Sequence, residues 1–402
     1  MNASLSADVI ARVKATVPAL VAHGPAITKA MYARLFEDAH IRALFNHANQ
    51  ESGAQVHALS AAIIGYAQNI DNLAVLAPVV ERIAQKHIGY HILPEHYPFV
   101  ANALLGAIKE VLGEAATDEI LDAWGTAYWF LANVLQGRET LLRDTIEGQD
   151  GGWRGWRSFV VTGKQRESEV ITSFVLEPKD GGGVILHKPG QYLTLRFDTP
   201  DETGLKRNYS ISAAANGRSL RISVKREPEG RGSGFLHDQV QVGDVLEVTP
   251  PAGDFFLAED PQRPVVLLSG GVGLTPMVSM IETIAQKHPD LDTHFVHAAI
   301  SSATHAMDQH VRDLARGHGR IKVATFYSDP LDSDEAGATH DEDGLVSIDW
   351  LAGNTPFAKA DFYLCGPKPF LRAFVGGLAK AGVPADQIHF ELFGPTDESM
   401  AA

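Results

Sequence analysis

The sequence predicts a multidomain chain: an all-α domain, then an antiparallel β-barrel, then an α/β domain with a doubly wound parallel sheet. Three changes in hydrophobic pattern predict it. Apolar residues recur every three or four positions through residues 1–148. They alternate with polar residues at period two through 153–262. Through 263–402, short buried strands alternate with helical stretches. These three ranges are the expected domains, and 402 residues suffice to build them.

The helical part reads as follows. Ile27, Ala30, Met31 and Leu35 form one stripe, Leu59, Ile63 and Tyr66 a second, and Val79, Val80, Ile83 and Ala84 a third. Residues 120–144 form one long helical pattern. The segment QDGGWRGW (149–156) then breaks the periodicity with glycines. In QYLTLRFD, Leu193, Leu195 and Phe197 alternate with polar residues, and in SLRISVKRE, Leu220, Ile222 and Val224 do the same. DGGG and ANG supply turns between strands. From Pro264, VVLLSGGVGLTPMVSMIETIAQ reads as a buried strand, a glycine turn and an amphipathic helix. HFVHAAI and DFYLCGP are further strands.

Composition bounds the function. The chain is 45% apolar and 21% charged, ordinary for a globular protein. Its one cysteine, Cys365, can form neither an internal disulfide nor a cysteine zinc cluster, so a reducing, cytoplasmic setting is expected. The opening MNASLSADVIARVKATVP lacks a basic segment followed by an apolar core, so no secretory leader is expected. No apolar run approaches the ~20 residues that span a bilayer. A formal charge of −15 argues against a nucleic-acid partner.

The stretch ERIAQKHIGYHILPEHY holds His87, His91 and His96. His87 continues the stripe Val79, Val80, Ile83 and Ala84, so it points inward. His87 and His91 have the H-x-x-x-H spacing of a zinc helix. Against zinc, Gly89 is expected to end the helix between them, and no Glu follows the first histidine. A lone inward histidine is ordinarily a satisfied core residue. Three more polar residues sit on apolar stripes, however. Glu139 follows Tyr128, Leu131 and Leu135; Tyr97 heads Val100, Leu104 and Ile108; Gln55 heads Leu59, Ile63 and Tyr66. Burying one unpaired neutral group costs about 1–3 kcal/mol. Four such residues point to a polar site inside the helical domain. A Glu139–His87 pair is the carboxylate–histidine arrangement that fixes a metal ligand's tautomer.

FNHANQESGAQVHAL, ERIAQKHIGYHILPEHYPFV and DAWGTAYWFLANVL resemble the globin module of bacterial flavohemoglobins, and the three-part order of the whole chain resembles that family. The resemblance implies haem b in a globin domain with His87 on iron, a distal Tyr32, distal Gln55 and Leu59, and Phe45 packed on the haem. It implies Tyr97 and Glu139 as the proximal hydrogen-bonding pair. His57 lies two positions from Gln55, about 200° round a helix, so it is expected to face away from the haem.

KRNYSIS (206–212) resembles the R-x-Y-S flavin signal of this family and of ferredoxin reductases. Read alone, it is equally a strand with an exposed Arg and a core Tyr. The resemblance implies that Arg207 pairs with FAD pyrophosphate, Tyr209 packs on the isoalloxazine and Ser210 meets the reactive flavin nitrogen, with Asn208 and Tyr192 alongside. Gly232 and Ser233 map loosely onto the family's flavin-phosphate donors, because EPEGRGSGFLH departs from the usual Val-Ser-Asn run.

SGGVGLTP suits an anion: its glycines admit the backbone, and Thr275 and Pro276 suit an N-cap and a first helical turn. It is not the G-x-G-x-x-G fingerprint. With YLCGPKPF it resembles a nicotinamide module, which implies Gly270, Gly271, Val272, Gly273, Leu274, Thr275 and Pro276 at the dinucleotide and Cys365, Gly366 and Pro367 near the nicotinamide. A buried small residue is the plainer role for Cys365. FELFGP resembles the family's closing segment, which implies Glu391, Leu392, Phe393, Gly394 and Pro395 beside the flavin. No acid or arginine closes HFVHAAISSATH, so the choice between NADH and NADPH stays open.

The resemblance implies nitric oxide dioxygenation. NAD(P)H reduces FAD, FAD passes single electrons to haem, and O2 on ferrous haem reacts with NO to give nitrate. A flavin between a two-electron donor and a one-electron acceptor fits that order. Other readings are a haem-flavin reductase acting on peroxides, an oxygen or NO sensor or store, and a ferredoxin-type reductase with an inert helical domain. A monomer is expected, and a lipid or other hydrophobic ligand in the haem pocket is left open.

Overall fold

The structure, a computed structural model, describes residues 5–45, 54–200 and 202–393. It divides into one compact unit over Met1–Thr145 and a second over Ile146–Phe393. Gly394 and Pro395, expected beside the flavin, lie outside the described residues.

The first unit is helical. Its main helices are Val17–Leu35, Ala54–Gln68, Ala77–Tyr90, Tyr97–Leu112 and the start of Asp118–Glu147. Proline in the first turn opens three of them: Pro18, Pro78 and Pro98 sit where a missing N–H costs nothing. Val17–Leu35 packs on both Ala54–Gln68 and Tyr97–Leu112. Leu20, Ile27, Met31, Leu104, Ile108 and Trp124 fill the core.

The expected helix stop at Gly89 is wrong. The helix runs through buried Gly89 to Tyr90, and His91 takes the left-handed cap at φ 56°. His91 N–H returns to Ile88 O at 3.1 Å and Ile92 N–H to His87 O at 2.8 Å. This is a Schellman closure, with histidine tolerating the left-handed region where glycine is commoner. The cap therefore bonds the backbone of His87 itself.

The second unit holds two sheets. The first is antiparallel: β1 (Arg157–Arg166), β2 (Ile171–Pro178), β3 (Tyr192–Phe197), β4 (Leu205–Ser210), β5 (Leu220–Lys225) and β6 (Val245–Val248), in the order β4-β3-β6-β1-β2-β5. A bridge between Ile211 and Ile222 joins its two edges and curls it towards a barrel. Phe159, Phe174, Leu193, Leu195, Leu220 and Ile222 fill the interior. The second sheet is β7 (Val265–Gly270), β8 (Thr293–Ala299), β9 (Ile321–Tyr327), β10 (Glu342–Asp343), β11 (Asp361–Cys365) and β12 (Ile388–Glu391). All pairs are parallel, in the order β10-β9-β8-β7-β11-β12. The order reverses direction at β7, where such sheets bind ligands at the carboxyl ends of their strands.

The helix expected to be amphipathic is Leu274–Lys287, and it is buried continuously from Leu274 to Ala285. It has no solvent face because it meets the parallel sheet on one side and segment 213–214 after β4 on another. Its N-cap is Gly273, not Thr275. The turn Gly271–Gly273 starts the helix one step early, and Thr275 instead donates its hydroxyl to Val272 O at 3.1 Å. No described helix is long and apolar enough to cross a membrane.

This unit is sensitive to acid. Burial lowers the His187 and His305 imidazoles to about 4 and His297 well below its usual 6.5. The folded state keeps them neutral, while the unfolded chain takes up protons once pH falls below 6.5. Stability is therefore present above 6.5 and is lost as pH falls towards 4. We expect the urea midpoint of this unit to drop between pH 7 and 5, above the range where ordinary carboxylates titrate. A midpoint flat over that interval would contradict it.

Candidate functional site

In the helical unit, His87, Tyr97 and Glu139 come from three helices and meet. His87 Nδ1 lies 2.7 Å from Glu139 Oε1 and 3.1 Å from Tyr97 Oη, and the Tyr97 hydroxyl donates to the same Glu139 oxygen. Glu139 is 0% exposed. A carboxylate oxygen only accepts, so Nδ1 carries the proton and Nε2 keeps its lone pair. Among the described residues no hydrogen bond reaches Nε2, and the His87 side chain is 28% exposed. Burial pushes the Tyr97 hydroxyl far up, and the bond to Glu139 adds to the shift, so it remains a donor. Tyr128 donates to Tyr97 O at 2.7 Å and fixes the start of that helix.

Arg143 is a member that the sequence reading missed. Its guanidinium stands 3.5 Å from Glu139 Oε2 and also donates to Ile92 O, one residue past the cap. The signal was present as an i,i+4 Glu–Arg pair. Among the described residues no three His, Cys, Asp or Glu side chains converge on a metal cage. A single oriented imidazole is the protein ligand that an iron porphyrin takes. The donor set fits haem. His91 and His96 are half-buried, and His96 Nδ1 accepts from Leu93 N at 2.9 Å in a capping role.

Tyr32, Phe36 and Phe45 form an aromatic cluster with centroids 5.4–5.7 Å apart. Phe36 was not anticipated. Leu59 packs half-buried against the same core, while His57 is exposed. Burial holds the Tyr32 hydroxyl protonated well above its usual range, and a hydrogen bond with Gln55 opposes that shift. Gln55 Oε1 is buried without a partner. A buried amide oxygen without a partner, close to the Tyr32 hydroxyl, fits a small polar ligand.

In the barrel, β4 carries the flavin candidates. Its register pairs Ser210 with Tyr192, Tyr209 with Leu193, Asn208 with Thr194 and Arg207 with Leu195. Strand alternation puts Arg207 and Tyr209 on one face and Asn208 and Ser210 on the other. Asn208 Oδ1 accepts from Thr194 at 3.0 Å. Tyr209 is half-buried against the barrel core. A Cβ on Gly232 would stand 2.9 Å from Arg207 Cγ. That glycine therefore lets the N-terminus of helix Arg231–Asp238 close on the Arg207 side chain, whose Nη1 donates to Lys206 O at 2.8 Å; a helix start beside an arginine fits a pyrophosphate. Ser233 Oγ is engaged in its own turn, accepting from Glu227 N at 3.1 Å and donating to Gly230 O at 3.2 Å.

Three motifs align at the carboxyl ends of adjacent parallel strands. Cys365 pairs with Ser269 on one side and Glu391 on the other. This brings Gly270–Pro276, Cys365–Pro367 and Glu391–Phe393 to one edge of the sheet. Gly271 has φ 55° with open space around its missing Cβ, and Gly273 lies directly on the Cys365 carbonyl, where no side chain fits. A side-chain-free backbone at a helix start fits a dinucleotide phosphate. Cys365 is fully buried, and burial pushes its thiol well up, so it packs rather than reacts. Leu392 packs on the sheet core, while Phe393 is 47% exposed.

Comparison with known proteins agrees with this division. Family models match as Globin over residues 29–135, Oxidoreductase FAD-binding domain over 158–257 and Oxidoreductase NAD-binding domain over 267–375. A flavohemoprotein of Xylella fastidiosa is 58% identical over 402 residues, covering 100% of both chains. The crystal structure of a flavohemoglobin from Malassezia yamatoensis, with bound FAD and haem, superposes with a TM-score of 0.87 at 27% identity, covering 98% of this chain and 100% of that one. The FAD/NAD-binding domain of a nitric oxide dioxygenase from Vibrio cholerae is 39% identical with a TM-score of 0.55, covering 60% of this chain and 99% of that one.

Proposed function

The chain belongs to the flavohemoprotein family, an oxidoreductase with haem, FAD and a nicotinamide dinucleotide as cofactors, and from that premise we propose that it is a nitric oxide dioxygenase. In this reading NO, O2 and NAD(P)H yield nitrate and NAD(P)+. The observation that carries it is the coexistence, in one chain, of an oriented inward histidine and a complete hydride-accepting half. A sensor or store has no use for the second.

When bound, FAD converts the two electrons of a hydride into single electrons, and haem supplies the iron at which O2 and NO combine. The chain's own residues do the rest. His87 holds the iron through Nε2. Glu139 takes the Nδ1 proton into a strong hydrogen bond, which gives the imidazole imidazolate character and makes it a better donor. Tyr97 holds that carboxylate oxygen in line and Arg143 balances its charge. Tyr32, kept protonated by burial, would donate to the dioxygen substrate, with Gln55 beside it. Leu59 and Phe45, packed in the same core as Tyr32, would line the haem's apolar surroundings.

Arg207, Asn208, Tyr209 and Ser210, with Tyr192, Gly232, Ser233 and residues 391–395, hold the flavin. Residues 270–276 and 365–367 hold the dinucleotide. The proposed domains are 1–148 for haem, 153–262 for flavin and 263–402 for nicotinamide.

An NO electrode tests the reading with holoprotein, O2 and NADH or NADPH. Rapid NO loss that requires both O2 and coenzyme, with nitrate formed, supports it. NO bound once per haem without coenzyme oxidation makes the protein a sensor or store instead. We also expect Arg207→Ala to weaken flavin binding ~10–100-fold, the size of one lost charge-assisted hydrogen bond, while haem content holds. A normal flavin-to-haem ratio after dialysis would refute the role of Arg207.

A further inference from the structure

The helix that begins at the dinucleotide loop also grips the flavin barrel. Two of its residues, one turn apart, hold a single backbone segment of the barrel. Ser279 donates its hydroxyl to Ala213 O at 2.8 Å, and Glu282 Oε2 accepts from Ala214 N at 2.7 Å. This segment directly follows KRNYSIS. The other oxygen, Glu282 Oε1, accepts from Arg221 of β5 at 2.7 Å and from His310 of helix Asp308–Gly317 at 2.8 Å. Arg221 in turn donates through Nε to Ser212 O at 3.1 Å, the last residue of the flavin motif. Burial opposes ionisation of Glu282, but the bonds to His310 and Arg221 outweigh it and hold the carboxyl below its usual range.

A buried carboxylate that joins β5, the end of the flavin motif, the dinucleotide-loop helix and a second helix does more than fill space. Burying it costs several kcal/mol before compensation. Ser279 and Glu282 are nine and twelve residues beyond Gly270 on the element that starts at the dinucleotide loop. Any slip between that helix and the barrel changes the separation of the two cofactor sites. Hydride transfer breaks a C–H bond on the reduced nicotinamide and forms an N–H bond on the flavin, moving two electrons, and it tolerates little misplacement. An error of ~1 Å can cost ~100-fold.

We propose that Ser279 and Glu282 are positioning residues, a two-point clamp that registers the nicotinamide site against the flavin site and so sets the hydride-transfer step. The proposal rests on the flavin–nicotinamide reading given above.

The test uses full-length holoprotein carrying Glu282→Gln, with Ser279→Ala as the milder variant. Glutamine still accepts from Ala214, but its amide N–H2 faces the donors of Arg221 or His310, so one arm of the clamp opens without loss of volume. Anaerobic stopped-flow with NADH should show the limiting rate of flavin bleaching reduced ~10–100-fold in Glu282→Gln and several-fold in Ser279→Ala. The apparent Kd for NADH should change little, and the primary isotope effect with deuterated NADH should rise. Independently of activity, hydrogen exchange at the Ala214 amide should accelerate in both full-length variants, because loosening the Arg221 and His310 arm or the Ser279–Ala213 bond lets segment 213–214 open more often.

Wild-type limiting rates in variants that keep their flavin would overturn the clamp. So would a rise in Kd alone, which would make these residues part of coenzyme binding. If Glu282→Gln fails to fold, the Ser279→Ala rate and isotope effect decide by the same criteria. Absence of NADH-dependent bleaching in the unsubstituted protein would instead overturn the underlying reading, and the clamp with it.

Discussion

Replacing Glu139 with alanine should destabilise the helical unit by roughly 3–5 kcal/mol and strip it of haem. Glu139 is wholly buried, and its two oxygens serve His87, Tyr97 and Arg143. Deleting it leaves the Arg143 cation buried opposite nothing and the His87 and Tyr97 donors without an acceptor. Losing one partner of a buried pair costs more than never having built the pair. Arg143 keeps only its bond to Ile92 O, so the cap beside His87 loosens as well.

Glu139→Gln separates the two effects. It preserves shape and most hydrogen bonds, so stability should fall less, while iron affinity drops ~10–100-fold as for other lost partners of a ligating histidine. Urea unfolding followed by circular dichroism, with Soret absorbance for haem content, measures both. Wild-type stability and haem content in Glu139→Ala would mean that the buried triad does neither job.

Much of this site was legible from spacing alone. Three separate apolar stripes each carry a polar residue at one end, and those residues, His87, Tyr97 and Glu139, are the ones that meet in space. The inference works because a helix has one inward face and burying a polar group there is costly unless it is paired. The same logic failed where a partner lies far along the chain. Local periodicity in Leu274–Lys287 reports one apolar face, but its other side is covered by residues about sixty positions upstream. Glu282, which the sequence reading did not single out, is the centre of a buried network.

The stop placed at Gly89 failed for a different reason. Glycine permits a left-handed cap without requiring one, and here His91 supplied it one turn-closing step later. Arg143 and Phe36 were readable in principle, each a short helical step from a residue that had been singled out. In the sheets, the period-two and buried-run patterns identified β3, β5, β7, β8 and β11, but not that Ser269, Cys365 and Glu391 would stand side by side. That alignment depends on strand order, which no local pattern encodes.

The other large effect is expected at Tyr32. Substitution by phenylalanine should lower the rate of NO consumption ~100-fold, the cost of losing one preorganised donor at a site of developing charge. Tyr32 carries a buried hydroxyl beside Gln55, whose carbonyl oxygen is buried without a partner. In the proposed function that hydroxyl is the donor that meets the ligand. Burial holds that proton in place across the whole physiological pH range, so the donor needs no reorganisation before reaction.

Phenylalanine keeps the ring contacts with Phe36 and Phe45, at 5.6 and 5.7 Å, and removes only the hydroxyl. The variant should therefore fold and retain haem, with O2 dissociating faster. It should also leave Gln55 without its Tyr32 partner, so Gln55 becomes free to turn towards the pocket. Tyr32→Phe combined with Gln55→Leu should then lose more than Tyr32→Phe alone if the amide partly substitutes for the phenol. Flash photolysis of O2 from the reduced protein reads the dissociation rate directly. An unchanged rate in Tyr32→Phe would remove Tyr32 from ligand binding and leave it as one member of an aromatic core.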